Sequence, residues 1–243
     1  MISIIVPVYN SGKTLKNLCM EIIEVMGIMQ QNYEIILVND ASRDNSCHVI
    51  KKLASNHMHI IGIHLAKNVG QQNALLCGIR YSTGDYVITI DDDLQYTPFD
   101  IPKLLHKIHQ GYDVVYGIPI QKEHNVYRNI GTRFKHNVFN HFLKKPEHIC
   151  ITSFRILSKR LVDKIIMDNN SFVYLSAATF KNTQNVANVK VHHYKRAYGQ
   201  SNYSIPKLFK LMFNILIYYS DWVLFKPLKK HKHQYHIKEI IIN

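Results

Sequence analysis

The first 116 residues alternate short apolar runs with amphipathic stretches. Apolar residues at helical spacing between the runs predict helices, the first of them over Leu15–Met29. Strands that alternate with helices need crossover connections, so we expect an α/β fold: a mostly parallel sheet with helices on both faces. The runs that predict strands are Ser3–Val8, Tyr33–Val38, His59–Leu65, Tyr86–Ile90 and Asp113–Tyr116.

The pattern of apolar and polar positions changes after residue 117. Apolar spacing predicts a basic helix over Val126–Leu143 and a helix over Ser158–Met167, and strands near Ile149–Leu157 and Val186–Tyr194. We therefore expect a catalytic domain over residues 1–204 and an appendage over residues 205–243.

The appendage is predicted to begin with an amphipathic helix over Pro206–Lys226 that has a wide apolar face and a narrow polar stripe. Lysines 229, 230 and 232 follow it. An apolar helix face beside a basic cluster is typical of an interfacial anchor on anionic lipid. The alternative is a helix that packs on the domain or on a second subunit.

Composition excludes a disordered chain, since 47% of the 243 residues are hydrophobic and 19% are charged. The net charge is +13, and the basic excess lies behind residue 100. It favours a polyanionic partner, which is nucleic acid, anionic lipid or a phosphorylated substrate, over a basic surface kept for solubility. We expect a cytoplasmic protein, because no signal peptide or membrane span is visible and the four scattered cysteines suggest neither disulfides nor a zinc site.

Polar clusters follow three of the predicted strands: Tyr9-Asn10, Asn39-Asp40 and Asp91-Asp92-Asp93. Ligands of such sheets bind beyond the carboxyl ends of the strands. In an extended chain Asp91 and Asp93 would share a face, and the pair suits Mg²⁺ or Mn²⁺, with the Gln95 amide as a third ligand. The alternative is a solvated acidic turn.

At these residues the sequence resembles family 2 glycosyltransferases of the Rossmann-like GT-A fold, in the branch of dolichyl- and polyprenyl-phosphate sugar transferases. The resemblance extends over about residues 1–228. It rests on Val6–Asn10, Val38–Ser42 with Asp44, Asn68–Gly70 with Asn73 and Ala74, Gly84–Tyr86, Asp91–Gln95, Ser153–Arg155 and Arg196–Ser204.

The resemblance implies a role for each matched residue. The base, ribose and diphosphate of a nucleotide sugar would be held by Pro7, Tyr9, Asn10, Asp40, Asn68, Gly70, Asp91 and Asp92. The metal ligands would be Asp91, Asp93 and Gln95. Acceptor and phosphate contacts would come from Arg128, Arg133 and Ser201. The catalytic residues would be Asp93, Arg155 and Arg196.

Three positions depart from the pattern of the family: Ser11 stands where relatives often carry an acid, Ser153 where some carry a carboxylate, and Asn202 where many carry lysine. A hydroxyl acceptor needs a general base, whereas a phosphate monoester is already anionic near neutral pH. The missing acid at position 153 therefore favours a phosphate acceptor.

We expect an inverting, metal-dependent transferase that moves a sugar from a nucleotide sugar, UDP rather than GDP, to a polyprenyl phosphate or related lipid-linked acceptor in cell-envelope glycan synthesis. It would act peripherally on the inner face of the plasma membrane, on an anionic surface, and a homo-oligomer is possible. Two alternatives stay open. One is transfer to a hydroxyl of a lipid-linked saccharide, and the more remote one is a non-catalytic basic protein that binds nucleic acid.

Overall fold

A computed structural model describes residues 1–120, 145–168, 172–195, 205–219 and 234–243 of the chain. The strands are β1 (Ile2–Val8), β2 (Tyr33–Asn39), β3 (Ile60–Leu65), β4 (Tyr86–Thr89), β5 (Val114–Pro119), β6 (Arg155–Ser158), β7 (Val186–Val191) and β8 (Ile237–Ile241). The helices are α1 (Leu15–Met29), α2 (Ser46–Asn56), α3 (Gln71–Tyr81), α4 (Ile101–Ile108), α5 (Lys159–Ile166), α6 (Leu175–Asn182) and α7 (Ile205–Tyr219), and a 3-10 turn, Pro98–Asp100, precedes α4.

The described strands form one mixed sheet in the order β7-β5-β6-β4-β1-β2-β3-β8. Strands β4, β1, β2 and β3 are mutually parallel, and β5 is parallel to β7. Strand β6 runs antiparallel between β4 and β5, and β8 runs antiparallel along β3. The predicted α/β fold with a mostly parallel sheet is confirmed, and β6 and β8 supply the antiparallel pairs.

The sheet is buried on both faces because neighbouring residues of its strands enter different apolar layers. In β1, Ile4 packs in the layer that contains α1 and α4, whereas Ile5 packs in the layer that contains α3, α5 and α6. Side chains alternate between the two faces of a strand, so an uninterrupted apolar run is what a doubly covered strand requires.

Helix α1 shows how the sequence sets the helix boundaries. Its buried positions, Leu15, Leu18, Cys19, Ile22, Val25 and Met26, follow helical spacing toward the sheet. The helix ends at Met29, and its C-cap Gln30 has a left-handed backbone with φ of 51°. Parallel pairing of β1 with β2 and β4 places the carboxyl ends of the three strands at one edge of the sheet.

The C-terminal residues contain an element that the sequence analysis did not predict. Strand β8 closes the edge of β3, and the Ala66 amide donates to the His236 carbonyl oxygen at 2.9 Å. In α7, Ile215, Ile217, Tyr218 and Tyr219 are buried. The last turns of α7 therefore pack on the domain, while the division at residue 204 stays a prediction.

Candidate active site

The carboxyl ends of three neighbouring strands, β4, β1 and β2, form the centre of the site. Four non-glycine residues in the described parts of the chain have a left-handed backbone, and three of them lie here: Asn10 (φ 57°), Ala41 (φ 53°) and Leu94 (φ 58°). Strained backbone of this kind clusters at functional sites, where the surrounding contacts stabilise it. The three predicted polar clusters are thus brought together at one edge.

The acidic triplet lies in a turn, not in an extended strand, because β4 ends at Thr89 and Leu94 is left-handed. The expectation that Asp91 and Asp93 share a face by strand alternation was therefore wrong in its premise. Each carboxylate accepts a hydrogen bond from a different residue. Gln71 Nε2 donates to Asp91 Oδ1 at 2.7 Å, the Tyr9 amide to Asp92 Oδ2 at 3.2 Å and the Gln95 amide to Asp93 Oδ1 at 3.1 Å.

Asp92 is held by contacts from the connection between β1 and α1. Burial raises its pKa to about 6, hydrogen bonds from Ser11 and the Tyr9 amide oppose the shift, and the charges of Asp91 and Asp93 add to it. The Thr14 hydroxyl donates to the Asp92 carbonyl oxygen at 2.6 Å. The connection between β1 and α1 therefore fixes the position of the acidic segment through Tyr9 and Thr14.

Asp40 is almost fully buried, with 3% of its surface exposed. Its Oδ1 accepts from the Val69 amide at 2.7 Å and its Oδ2 from the Gly70 amide at 2.8 Å. Asn68 Nδ2 donates to the Asp40 carbonyl oxygen at 3.2 Å. Burial raises the pKa of Asp40 and the two backbone hydrogen bonds lower it. The carboxylate that was predicted to contact a base shapes the 68–70 loop in this structure.

The turns that follow β1 and β2 are interlocked. The Asn10 amide donates to Ser42 Oγ at 3.0 Å, and the Arg43 amide donates to Asn10 Oδ1 at 2.8 Å. The Ser11 amide donates to Ser46 Oγ at 3.0 Å. Beside them Tyr9 is 45% exposed, so its ring is available to a ligand. Pro7, also predicted as a ligand contact, is buried inside β1.

Gln95 joins the acidic turn to the segment behind β7. Its carbonyl oxygen accepts from the Tyr194 amide at 2.8 Å, and its Nε2 donates to the Tyr194 carbonyl oxygen at 3.4 Å. Buried Asp100 accepts from the His192 amide at 2.5 Å and forms an ion pair with Lys103. These contacts hold residues 192–195 beside the acidic turn.

Arg155 lies on β6 and is 3% exposed. Its Nε donates to Thr89 Oγ1 at 3.2 Å, and one terminal nitrogen donates to Ser176 Oγ at 2.9 Å. The guanidinium also lies 5.7 Å from the centroid of the Tyr116 ring. In this conformation Arg155 is buried and connects β4 to α6, and its predicted catalytic role stays a prediction.

Four predicted site residues, Arg128, Arg133, Arg196 and Ser201, lie outside the described residues. Two contacts of the site were missed by sequence reasoning. Gln71 bonds Asp91 from the start of α3, and Thr14 clamps Asp92 from the start of α1. Both partners are distant in the sequence, and no local pattern indicates them.

The donor set fits a divalent metal that a substrate helps to hold. Asp91, Asp93 and Gln95 offer oxygen ligands, which Mg²⁺ and Mn²⁺ prefer. Within the described ranges no group of three or more His, Cys, Asp or Glu residues forms a closed metal cage. Mg²⁺ is usually bound by one or two carboxylates plus substrate phosphates, so two carboxylates at an open strand edge are a suitable set.

Residues 3–166 match the family described as Glycosyl transferase family 2. The matched region spans more than half of the chain and contains the whole β4–β1–β2 edge. The chain belongs to this family. The predicted family is thereby confirmed.

Curated relatives include several proteins named undecaprenyl-phosphate 4-deoxy-4-formamido-L-arabinose transferase. The protein of this name from Yersinia pestis (strain Pestoides F) is 32% identical over 218 residues, which are 88% of this chain and 66% of the relative. The one from Shewanella sediminis (strain HAW-EB3) is 32% identical over 222 residues, 88% of this chain and 65% of the relative. The family 2 chain thus spans about two thirds of the length of these relatives.

Solved structures confirm the GT-A fold. Glucosyl-3-phosphoglycerate synthase from Mycobacterium tuberculosis, crystallised with phosphoglyceric acid, superposes with a TM-score of 0.63 at 15% identity, covering 89% of this chain and 78% of that one. Its complex with Mn²⁺, UDP and glucosyl-3-phosphoglycerate also gives 0.63, at 16% identity and 77% coverage of that chain. At this identity the likeness concerns the fold alone.

The described part of this family 2 chain contains no helix that is both long enough and apolar enough to cross a bilayer.

Proposed function

We propose that this chain transfers a sugar from a nucleotide sugar, UDP rather than GDP, to a polyprenyl phosphate or a related lipid-linked acceptor, with inversion at the anomeric carbon. The observation that carries the proposal is the contact between neighbouring strand ends. The Tyr9 amide of the β1 end bonds Asp92 of the β4 end at 3.2 Å, and the Asp40-held loop lies beside them. The names of the curated relatives support the acceptor class.

The donor half of the site would lie across β1 and β2. Tyr9 offers an exposed ring on which a base can stack, and Asn68 and Gly70 lie in the loop that Asp40 holds. Because Asp40 is committed to two backbone amides, it would act on the nucleotide mainly through the shape of that loop. The UDP found in the Mycobacterium tuberculosis structure supports the choice of UDP.

Asp91, Asp93 and Gln95 would hold Mg²⁺ or Mn²⁺ at the diphosphate of the donor. When bound, the metal supplies positive charge that stabilises the departing nucleoside diphosphate. Hydrogen bonds within the protein orient the two metal-binding carboxylates: Gln71 orients Asp91, and the Gln95 amide orients Asp93. Ligands held in this way lose less freedom on binding, which favours a defined diphosphate position.

The chemical step would be a single displacement. A phosphate oxygen of the acceptor forms a bond to the anomeric carbon as the bond from that carbon to the diphosphate oxygen breaks, and the diphosphate leaves with the electron pair. A phosphate monoester has a second pKa of about 6 and needs no general base near neutral pH. Ser153 offers none: its carbonyl oxygen accepts from Thr89 Oγ1 at 2.6 Å, and its side chain is a hydroxyl.

Acceptor binding would use Arg128, Arg133, Arg196 and Ser201. Arginine suits phosphate through its planar, bidentate fork of donors. Residues 192–195, which precede Arg196 in the sequence, are held beside Gln95 of the predicted metal site. This placement of residues 192–195 supports an acceptor phosphate near the donor diphosphate.

We also propose that the appendage, residues 205–243, contacts the membrane, but not through the whole apolar face of α7. Because the last turns of α7 are buried against the domain, the contact with anionic lipid would come from lysines 229, 230 and 232 and from exposed apolar residues such as Phe213, which is 57% exposed. The enzyme would then act peripherally on the inner face of the plasma membrane, where the lipid acceptor lies.

One experiment separates the candidate acceptors. The purified full chain is incubated with UDP-sugars and Mn²⁺, with either undecaprenyl phosphate or a lipid-linked saccharide that has no free phosphate. We expect product with undecaprenyl phosphate and none with the saccharide. Product that forms only with the saccharide would replace the phosphate acceptor by a hydroxyl acceptor. If no UDP-sugar is turned over and no nucleotide binds, the transferase function is wrong.

A further inference from the structure

His64 is a buried histidine that none of the sequence motifs contains. It lies near the end of β3, directly opposite Asn39 of β2 in the parallel register, and is 4% exposed. On its other side β8 brings Glu239 opposite it. A polar ring at this depth needs hydrogen-bond partners, and its partners lead toward the site.

The hydrogen bonds of Asn39 define which nitrogen of His64 carries the proton. Asn39 Oδ1 accepts from the Ser42 amide at 3.0 Å, which fixes the orientation of the side-chain amide. Asn39 Nδ2 then lies 2.9 Å from His64 Nδ1. Since Nδ2 has only protons to offer, Nδ1 must be the acceptor, and the ring proton is on Nε2, which faces Cys47 Sγ at 3.8 Å.

The surroundings of His64 keep the ring neutral. Burial lowers its pKa, the charge of Glu239 on β8 opposes the shift, and Lys51 on α2 and Lys238 on β8 add to it. A neutral ring has one acceptor nitrogen, as the bond to Asn39 requires.

The hydrogen bonds from His64 through Asn39 reach the turn that follows β2. The Ser42 amide that Asn39 holds follows Ala41, whose backbone is left-handed with φ of 53°. Ser42 Oγ in turn accepts from the Asn10 amide at 3.0 Å. A side chain on β3 is thereby linked, through Asn39 and Ser42, to the strained turns behind β1 and β2.

We propose that His64 is a positioning residue for the donor nucleotide: its Nδ1 accepts from Asn39 and so holds Ser42 and the turn 39–43 in the conformation that binds the nucleotide. The inference rests on the proposed function, because it assigns this turn to the donor. His64 touches no reacting atom. Its contribution is the acceptor nitrogen, since strand pairing is made by the backbone and any residue at position 64 can supply it.

The test compares three variants with wild type. His64→Asn keeps an acceptor oxygen close to the place of Nδ1, His64→Leu fills the space without an acceptor, and Cys47→Ala removes only the contact on the Nε2 side. The affinity for UDP with Mn²⁺ is measured by calorimetry, and kcat and KM for the UDP-sugar by turnover. Hydrogen exchange of the Ser42 amide and the His64 nitrogen chemical shifts are measured by NMR without ligand.

We expect His64→Leu to weaken UDP binding about tenfold, which corresponds to about 1.4 kcal/mol, and to raise KM while kcat changes little. Exchange of the Ser42 amide should accelerate in the same variant. His64→Asn and Cys47→Ala should stay within about threefold of wild type. In wild type the nitrogen shifts should show an unprotonated Nδ1.

Three results would overturn the positioning role: a His64→Leu protein with wild-type UDP affinity and Ser42 exchange, a His64→Asn protein as impaired as His64→Leu, or a protonated Nδ1 in wild type. If His64→Leu does not fold, the wild-type nitrogen shifts and the His64→Asn comparison still decide. A wild-type protein that binds no nucleotide would contradict the proposed function. The exchange of the Ser42 amide and the His64 nitrogen shifts, both measured without ligand, would still test the His64–Asn39–Ser42 hydrogen bonds.

Discussion

The backbone amide of Tyr9 donates a hydrogen bond to Asp92 Oδ2 at 3.2 Å, and this contact joins the ends of β1 and β4. Tyr9 follows the first strand and Asp92 the fourth, so 83 residues separate them in the chain. The same short stretch of backbone thus carries an exposed aromatic ring on one side and an acidic turn on the other. In the proposed function the base of the donor stacks on the Tyr9 ring and its diphosphate lies at the acidic turn.

Replacing Asp93 tests the predicted metal site. Asp93→Asn should lower transfer at least about a hundredfold, because losing a metal ligand removes several kcal/mol of charge stabilisation. The thermal unfolding midpoint should change little, since the residue lies in a partly exposed turn. Turnover with Mn²⁺ and the melting curve are the measurements.

The matched control for Asp93 is Asp163→Asn, which removes a partly exposed carboxylate that pairs with Lys159 on α5. It should keep full activity. Retention of more than about a tenth of wild-type activity in Asp93→Asn would contradict the assigned ligand role.

Replacing Asp40 tests the loop that it holds. Asp40→Ala leaves the amides of Val69 and Gly70 without their acceptor, which should cost about 1–3 kcal/mol of stability. We expect UDP affinity to fall far more than kcat, because the 68–70 loop belongs to the donor half. Calorimetry and steady-state kinetics measure both.

Glu34→Ala is the control for Asp40→Ala, because Glu34 is another buried carboxylate that accepts from a backbone amide, that of Thr83, at 2.7 Å. It lies at the amino end of β2, on the opposite edge of the sheet. Its loss should destabilise the protein and leave UDP affinity unchanged. Equal losses of affinity in both variants would mean that Asp40 acts through global stability alone.

The central strands and helices were predictable from sequence because each has a strong local signal. Helix α1, for example, has six buried residues at helical spacing. Strand β8 was missed because Ile237–Ile241 is short, and only β3, some 170 residues away in the chain, provides its pairing partner. The acidic turn was misjudged as extended because the left-handed conformation of Leu94 has no signature in its side chain.

The meeting of the three polar clusters at one edge was predictable from sequence, whereas the contacts within them were not. The clusters at Tyr9, Asp40 and Asp91 are visible because parallel strands end at one edge. Which side chain faces a ligand and which holds a loop depends on partners far away in sequence, such as Val69 for Asp40. Sequence spacing carries no information on that choice.

Removing the C-terminal strand tests its coupling to the donor half. Deleting residues 234–243 exposes the edge of β3 and removes the acceptor of the Ala66 amide, which leads into the 68–70 loop. We expect lower stability, a tendency to associate through the open edge and weaker UDP binding. Urea unfolding, light scattering and calorimetry measure the three effects.

Glu239→Gln is the milder counterpart of this deletion, because it breaks only the exposed ion pair between Glu239 and Lys51. Such pairs contribute about 0–1 kcal/mol, so stability should barely change. A deletion that unfolds no more readily than Glu239→Gln would show that β8 contributes nothing to the sheet.

Stability at acid pH should depend on Asp113. Burial would raise its pKa, but hydrogen bonds from Thr183 and Arg160 outweigh it and hold the pKa below its usual range. A carboxyl whose pKa is lower in the folded state stabilises the fold above its unfolded pKa of about 4, and this contribution is lost as pH falls through the folded value.

The wild type should therefore exceed Asp113→Asn in stability at pH 6, and the difference should shrink below about pH 4. Urea unfolding from pH 3 to pH 7 measures it. A difference that stays constant over this range, or that grows toward acid pH, would exclude the linkage.

Membrane contact is tested by flotation with vesicles. We expect the full chain to float with anionic and not with zwitterionic vesicles, and to be released by salt, since each lysine near an anionic surface contributes about 1 kcal/mol. Replacing lysines 229, 230 and 232 by glutamine should abolish flotation, and Phe213→Ser should weaken it. UDP-sugar hydrolysis should survive in both variants, and flotation that is unaffected by them would place the contact elsewhere.

The most direct test of the central claim is transfer from a UDP-sugar to undecaprenyl phosphate, followed by the mass and anomeric configuration of the product. We predict a sugar linked to undecaprenyl phosphate with inverted configuration, which forms with Mn²⁺ or Mg²⁺, disappears with chelator and is absent with Asp93→Asn. A product of retained configuration, or one that forms equally well with chelator present, would contradict it.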